Sequence, residues 1–117
     1  MNPYDKAHEL ARALRESHEY QALLDCKSIV DADPAAKRML DDFRRRQWEL
    51  ETHRIMGEGV SDDELQQINQ MQEAIQMHAV LREYVEAEHR FGVIYSDVHK
   101  ILGDAVREVI GSTGDIA

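Results

Sequence analysis

Cysteine occurs once in this 117-residue sequence, at Cys26. A single cysteine closes no disulfide within a chain and supplies no Cys-x-x-Cys metal spacing. Beside Ile29 and Val30 on an expected helix, Cys26 reads as a small buried hydrophobe. Two prolines, six glycines and an aromatic content of 6% are too little for the many turns and packed faces of a sandwich or barrel. No segment approaches the ~18 apolar residues of a membrane span. The start, MNPYDKAHEL, has neither the basic cluster nor the apolar run of a secretory signal. Positive charge is also scarce: 14 Lys and Arg stand against 23 Asp and Glu, for a net charge of -9. Such a surface repels phosphate backbones and anionic lipid. These absences together predict a cytoplasmic protein, with no membrane partner and with nucleic acid disfavoured.

What the chain does have is 43% hydrophobic residues, mostly aliphatic, at helical spacing. Asn2-Pro3 and Asp33-Pro34 each pair a capping residue with proline at the first helical position, where the missing N–H costs nothing. A first helix runs from Pro3 to about Ser17, with Tyr4, Ala7, Leu10, Ala11 and Leu14 on one side. Ser17 can cap a second helix, and the two could be one bent helix. Asp33-Pro34 starts a third, reaching about Met56, with Ala36, Met39, Leu40, Phe43, Gln47 and Leu50 as its inner row. Gly57 and Gly59 stop it. Ser61-Asp-Asp-Glu64 then forms a capping box, with acids at the positive end of the next helix dipole.

From Leu65 to Ile110 there is no proline. One apolar row runs Leu65, Ile68, Gln72, Ile75 and Ala79. A second runs Met77, Val80, Tyr84, Ala87, Phe91, Ile94, Val98, Ile101 and Ala105, at spacings of three and four. The rows are out of phase near residues 75–79, which predicts a kink or short break there. Leu81, Val85, Tyr95 and Leu102 add a neighbouring stripe, so the apolar face is wider than a two-stranded seam. A helix over 78–110 would be roughly 50 Å long at ~1.5 Å per residue, whereas a compact domain of this size has a radius of gyration near ~13 Å. The surplus apolar surface is most simply covered by another copy. The expected architecture is all-α: one helical domain over residues 1–110, a hairpin or bundle with a long C-terminal helix, completed by homo-oligomerisation into a dimer or larger assembly. Residues 111–117 form a flexible tail. The self-association stripe is Met77, Val80, Tyr84, Phe91, Ile94, Val98 and Ile101.

The run Arg44-Arg45-Arg46 raises a second possibility. Between Asp33 and Glu51, however, five bases face five acids, and adjacent arginines fan around a helix rather than forming one patch. Asp41 and Asp42 stand four residues before Arg45 and Arg46, the favourable order for pairing. The ordinary reading is a solvated, self-paired face. Arg38, Arg44, Arg45 and Trp48 are retained as a candidate partner face, and as the residues of an alternative in which the chain is an RNA-binding accessory module. A lone tryptophan on such a helix more often packs than stacks a base.

Glu86-Ala-Glu-His89 has the Glu-x-x-His spacing of di-iron bundles, which need two such pairs and two further glutamates. One pair per chain, flanking the inward row of Ala87 and Phe91, leaves a bundle metalloprotein as the weaker alternative. Six scattered histidines include no HExxH, and there is no nucleophile elbow or phosphate-binding glycine loop. No enzyme and no cofactor are expected.

Four segments, "NPYDKAHELARALRES", "ADPAAKRMLDDFRRRQWELE", "MGEGVSDDE" and "EYVEAEHRF", together resemble the YlbF/YmcA family, especially its YheA-like branch, over nearly the whole chain. The resemblance implies a cytoplasmic, all-helical bacterial protein that self-associates and binds another protein. It also implies a non-enzymatic accessory role, in control of mRNA processing and through it competence, sporulation or biofilm formation. Cysteine-held iron–sulfur clusters associated with such members would find only Cys26 here. The combined expectation is an oligomeric helical adaptor.

Overall fold

Asn2, Ser17, Asp33 and Ser61 each supply a side-chain oxygen to an otherwise orphaned backbone N–H at a helix start. Asn2 Oδ1 accepts from Tyr4 at 2.8 Å, Ser17 Oγ from Tyr20 at 3.2 Å, Asp33 Oδ1 from Ala36 at 3.1 Å and Ser61 Oγ from Glu64 at 3.1 Å. The computed structural model describes residues 2–111, and among these there are helices and no strand. They are α1 (Pro3–Glu16), α2 (His18–Asp31), α3 (Pro34–Ile55), α4 (Asp62–Gln76), α5 (Ala79–Ala105) and the single turn α6 (Arg107–Ile110). The tail expected at 111–117 lies, apart from Gly111, outside the described residues.

Gly57 ends α3 as the capping chemistry requires. Its φ is +77°, the left-handed region, and the Gly57 and Glu58 N–H groups donate back to the Arg54 and His53 carbonyls at 3.2 and 2.9 Å. That pair of bonds is the Schellman arrangement. His53 then ties the turn to α4, with Nδ1 3.5 Å from the Glu64 carboxylate and Nε2 3.9 Å from that of Glu58.

The conflict of apolar phase near residue 77 appears as a break. Helix α4 ends at Gln76, Met77 and His78 lie between, and α5 begins at Ala79. His78 Nδ1 accepts from the Leu81 N–H at 3.5 Å, and Arg82 donates across the break to the Gln76 carbonyl at 3.4 Å. At its far end α5 is shorter than the expected 78–110. The Val106 N–H turns to the Gly103 carbonyl, three residues back, tightening the last turn. Gly103 is a weak helix former. With 27 residues, α5 spans roughly 40 Å at ~1.5 Å per residue.

The described chain divides into two compact units. Unit 2 covers residues 24–85. In it α3 and α4 pack on each other, and Val30, Ala36, Leu40, Ile75, Leu81 and Tyr84 are buried. Ile75 and Leu81 are among the most deeply enclosed side chains of the fold. The Arg44 guanidinium lies over the Tyr84 ring, 5.5 Å from its centroid.

Unit 1 takes the residues up to Leu23 and those from Glu86 onward. Ala87 is its one buried hydrophobe among the described residues, and α1 contains no buried residue. Leu10, Leu14, Tyr20, Phe91, Ile94 and Val98 are half-buried. An aromatic ladder runs through the unit. Tyr20 meets Phe91 at 5.2 Å between ring centroids, Phe91 meets Tyr95 at 6.3 Å, and Tyr95 takes His99 edge-on at 4.7 Å. Among the described residues, no helix is long and apolar enough to cross a membrane.

Candidate interaction surfaces

On α5 the residues Tyr84, Ala87, Phe91, Ile94, Val98 and Ile101 recur at three and four positions, so they share one side of the helix. Their burial changes along that side. Tyr84 and Ala87 are enclosed; Phe91, Ile94 and Val98 are half-covered; Ile101 is 67% exposed and Leu102 is exposed beside it. Val106, Val109 and Ile110 carry exposed apolar surface onward to the end of α6. The chain thus covers the beginning of its own stripe and leaves the end open.

Not every residue of the expected self-association stripe is placed alike. Phe91, Ile94, Val98 and Ile101 lie in unit 1 on the open part. Val80 is half-buried in unit 2. Tyr84 is buried in unit 2 beneath Arg44, so its ring serves the chain's own packing. Met77 stands in the break between α4 and α5, 86% exposed and off the helical stripe. Leu81, which spacing alone assigns to a secondary stripe, is fully enclosed. Tyr95 and His99, one and two turns beyond Phe91, belong with the open stripe through their ring contacts; their i, i+4 spacing from Phe91 was the available signal.

The α3 residues separate in the same way. Arg44 is engaged with Tyr84. Arg45 donates to Asp42 at 3.1 Å, and Arg46 to Glu49 at 3.1 Å. Arg45 and Arg46 thus each pair with an acid three residues away. Arg38 is exposed. Trp48 corrects the expectation that it packs: its side of α3 faces outward, and the residue is 68% exposed. Ile55, two turns along the same side, and Met56 are exposed as well. Trp and Arg are the residue types that most often anchor protein interfaces.

A shallow groove of about 380 Å³ lies between α3 and α4, lined by Met39, Asp42, Gln67, Gln70, Met71 and Ala74. Met71, off both apolar rows in the sequence, is half-buried in its wall. Glu86 and His89 are both exposed, and among the described residues no three His, Cys, Asp or Glu side chains gather as a metal-binding group.

These surfaces are helical and amphipathic. The sequence pattern described as "Control of competence regulator ComK, YlbF/YmcA" matches residues 4–107. A UPF0342 protein of Alkalihalophilus pseudofirmus is 39% identical over 111 residues, covering 95% of this chain and 94% of that protein. A UPF0342 protein of Symbiobacterium thermophilum is 37% identical over 103 residues, covering 88% and 92%. Among solved structures, a "Protein of Unknown Function (DUF964) from Bacillus stearothermophilus" aligns with a TM-score of 0.79 at 24% identity, over 91% of this chain and 93% of that one, and so shares the fold. With its pattern matched from the first helix into the last, the chain belongs to the YlbF/YmcA family of control-of-competence proteins.

Proposed function

We propose that this protein is a non-enzymatic regulatory adaptor of the cytoplasm, working as a homo-oligomer and binding a second protein. The observation that carries this reading is the stripe of α5, which runs past the point where its own chain covers it, from half-buried Phe91, Ile94 and Val98 to exposed Ile101 and Leu102. Contiguous apolar surface of this kind marks an interaction site. The family description supplies the setting, control of the competence regulator ComK. Influence on mRNA processing, and through it on competence or biofilm formation, is the route that the family resemblance favours.

The outer face of α3, with Trp48, Arg38 and Arg45, is the proposed surface for the protein partner. Exposure of Trp48 favours a docking role for this face. Pairing of Arg45 with Asp42, stacking of Arg44 on Tyr84 and the net charge of -9 favour a protein over RNA. Crosslinked co-purification from the native host tests the reading. The wild-type chain should bring down a reproducible regulatory or ribonuclease partner that Trp48→Ala loses while keeping its oligomeric mass. Recovery of the chain alone, from wild type and variant equally, would contradict the adaptor role.

A further inference from the structure

We propose that the groove between α3 and α4 receives a short basic amphipathic helix of another protein. The groove lies wholly within residues 24–85. It is a separate surface from the one proposed above, because Trp48 stands about two and a half turns along α3 from Met39 and so on the opposite side of that helix.

Met39 and Asp42 on α3, and Gln67, Gln70, Met71 and Ala74 on α4, follow each other at spacings of three and four, so each helix gives one side to the groove. Met39 and Met71 are half-buried in the two walls. Their unbranched thioethers can re-pack around aliphatic or aromatic side chains of differing shape. Ala74 is small and exposed in the α4 wall. The Gln67 and Gln70 amides are exposed beside it and offer both donors and acceptors. An apolar strip edged by polar groups, set between two helices, is the kind of groove that takes the apolar side of a third.

Charge gives the sign of the occupant. Between Arg54 and Arg82 the chain has no lysine or arginine, but it has Glu58, Asp62, Asp63, Glu64 and Glu73. The last four are on α4. Glu64 faces His53, whereas Asp62, Asp63 and Glu73 have no ion pair among the described residues. The positive end of the α4 dipole offsets about half a charge, less than the three carboxylates of its first turn carry. Over residues 38–49 of α3, Arg44 turns to the Tyr84 ring, and Arg38, Arg45 and Arg46 are equalled by Asp41, Asp42 and Glu49. Arg45 and Arg46 are already paired, with Asp42 and Glu49. With three bases against three acids on α3 and none against four on α4, the groove lies between a balanced wall and an acidic one. Asp63 stands one turn before Gln67, and Glu73 beside Ala74, roughly 15 Å apart at ~1.5 Å per residue. A helix with an apolar side and a cation toward each end complements this arrangement. Phosphate backbones and acidic helices are repelled by the same carboxylates.

Fluorescence anisotropy of a labelled synthetic peptide with the full chain tests the site. The probe peptide has leucine at helical spacing on one side and lysine on the other; its comparison has glutamate in place of every lysine. Wild type should bind the lysine peptide, less tightly as salt rises, and the glutamate peptide at least ~tenfold more weakly. The double variant Asp63→Asn, Glu73→Gln should bind the lysine peptide roughly tenfold more weakly than wild type does. Ala74→Trp, which fills the groove from an exposed position, should lose at least as much. Asp63 and Glu73 are both exposed, so the double variant decides the matter if Ala74→Trp disturbs the packing of α3 on α4. Equal binding by wild type and the double variant would overturn the groove as the site, and so would absence of binding to wild type. Sedimentation of Ala74→Trp supplies the other arm. A mass different from that of wild type would assign the groove to a second copy and overturn the proposal, whereas an unchanged mass is the expected result.

Discussion

Two glycines separate conformational need from mere tolerance. Gly57 sits at φ +77° with nothing within 4 Å of an added Cβ, so strain of the left-handed backbone is the whole cost of a side chain there. Gly57→Ala should destabilise by about 1 kcal/mol. Gly92, on the exposed side of α5, also has nothing within 4 Å but no positive φ, and Gly92→Ala should stabilise by roughly 0.5–1 kcal/mol. Urea unfolding at one protein concentration reads both signs. The Lys27–Asp31 pair offers a titration. A hydrogen bond from Lys27 Nζ at 2.6 Å holds the Asp31 carboxyl below the ordinary aspartate range, and the same bond holds the Lys27 ammonium above its usual 10.5. The lowered acid contributes above the ordinary aspartate value and loses its contribution as pH falls through the lowered one. The raised base contributes below 10.5 and loses it as pH rises through the raised one. The pair is therefore constant across neutral pH. An NMR titration should place the Asp31 midpoint low, and Lys27→Met should return it toward ordinary. Residue identity made the caps and Gly57 legible in advance, because their bonds reach only a few positions. It did not distinguish Trp48 exposed from Trp48 packed, since that depends on which neighbours the fold brings.

At the scale of elements, local chemistry again separates what could be read from what could not. Asp33-Pro34, Ser61 and the out-of-phase rows placed three boundaries within a residue or two, each from signals inside the element itself. The end of α5 was missed because a lone glycine such as Gly103 weakens a helix without always ending it. Spacing also misranked Leu81. Two adjacent stripes differ by one residue along the helix, and only the packing of unit 2 decides which is enclosed. Leu81→Ala should cost about 2–5 kcal/mol, as for large-to-small changes in a closed core. A loss below ~1 kcal/mol in equilibrium unfolding would mean that Leu81 does not anchor unit 2.

For the whole molecule, the all-helical fold and the family were both legible, because amphipathic periodicity and the order of caps extend over the chain. The candidate surfaces were legible only in part. The pattern marked Phe91, Ile94, Val98 and Ile101 as apolar and aligned, but it also included Tyr84, which the chain keeps for itself, and Met77, which stands in a break. What a single sequence hides is the share of each stripe that its own fold already covers. The uncovered remainder is the surface proposed above for self-association. Its most direct test is the mass of the wild-type chain in solution by sedimentation equilibrium at micromolar concentration. The expected result is twice the single-chain mass or a higher whole multiple. A single-chain mass maintained up to hundreds of micromolar would contradict it.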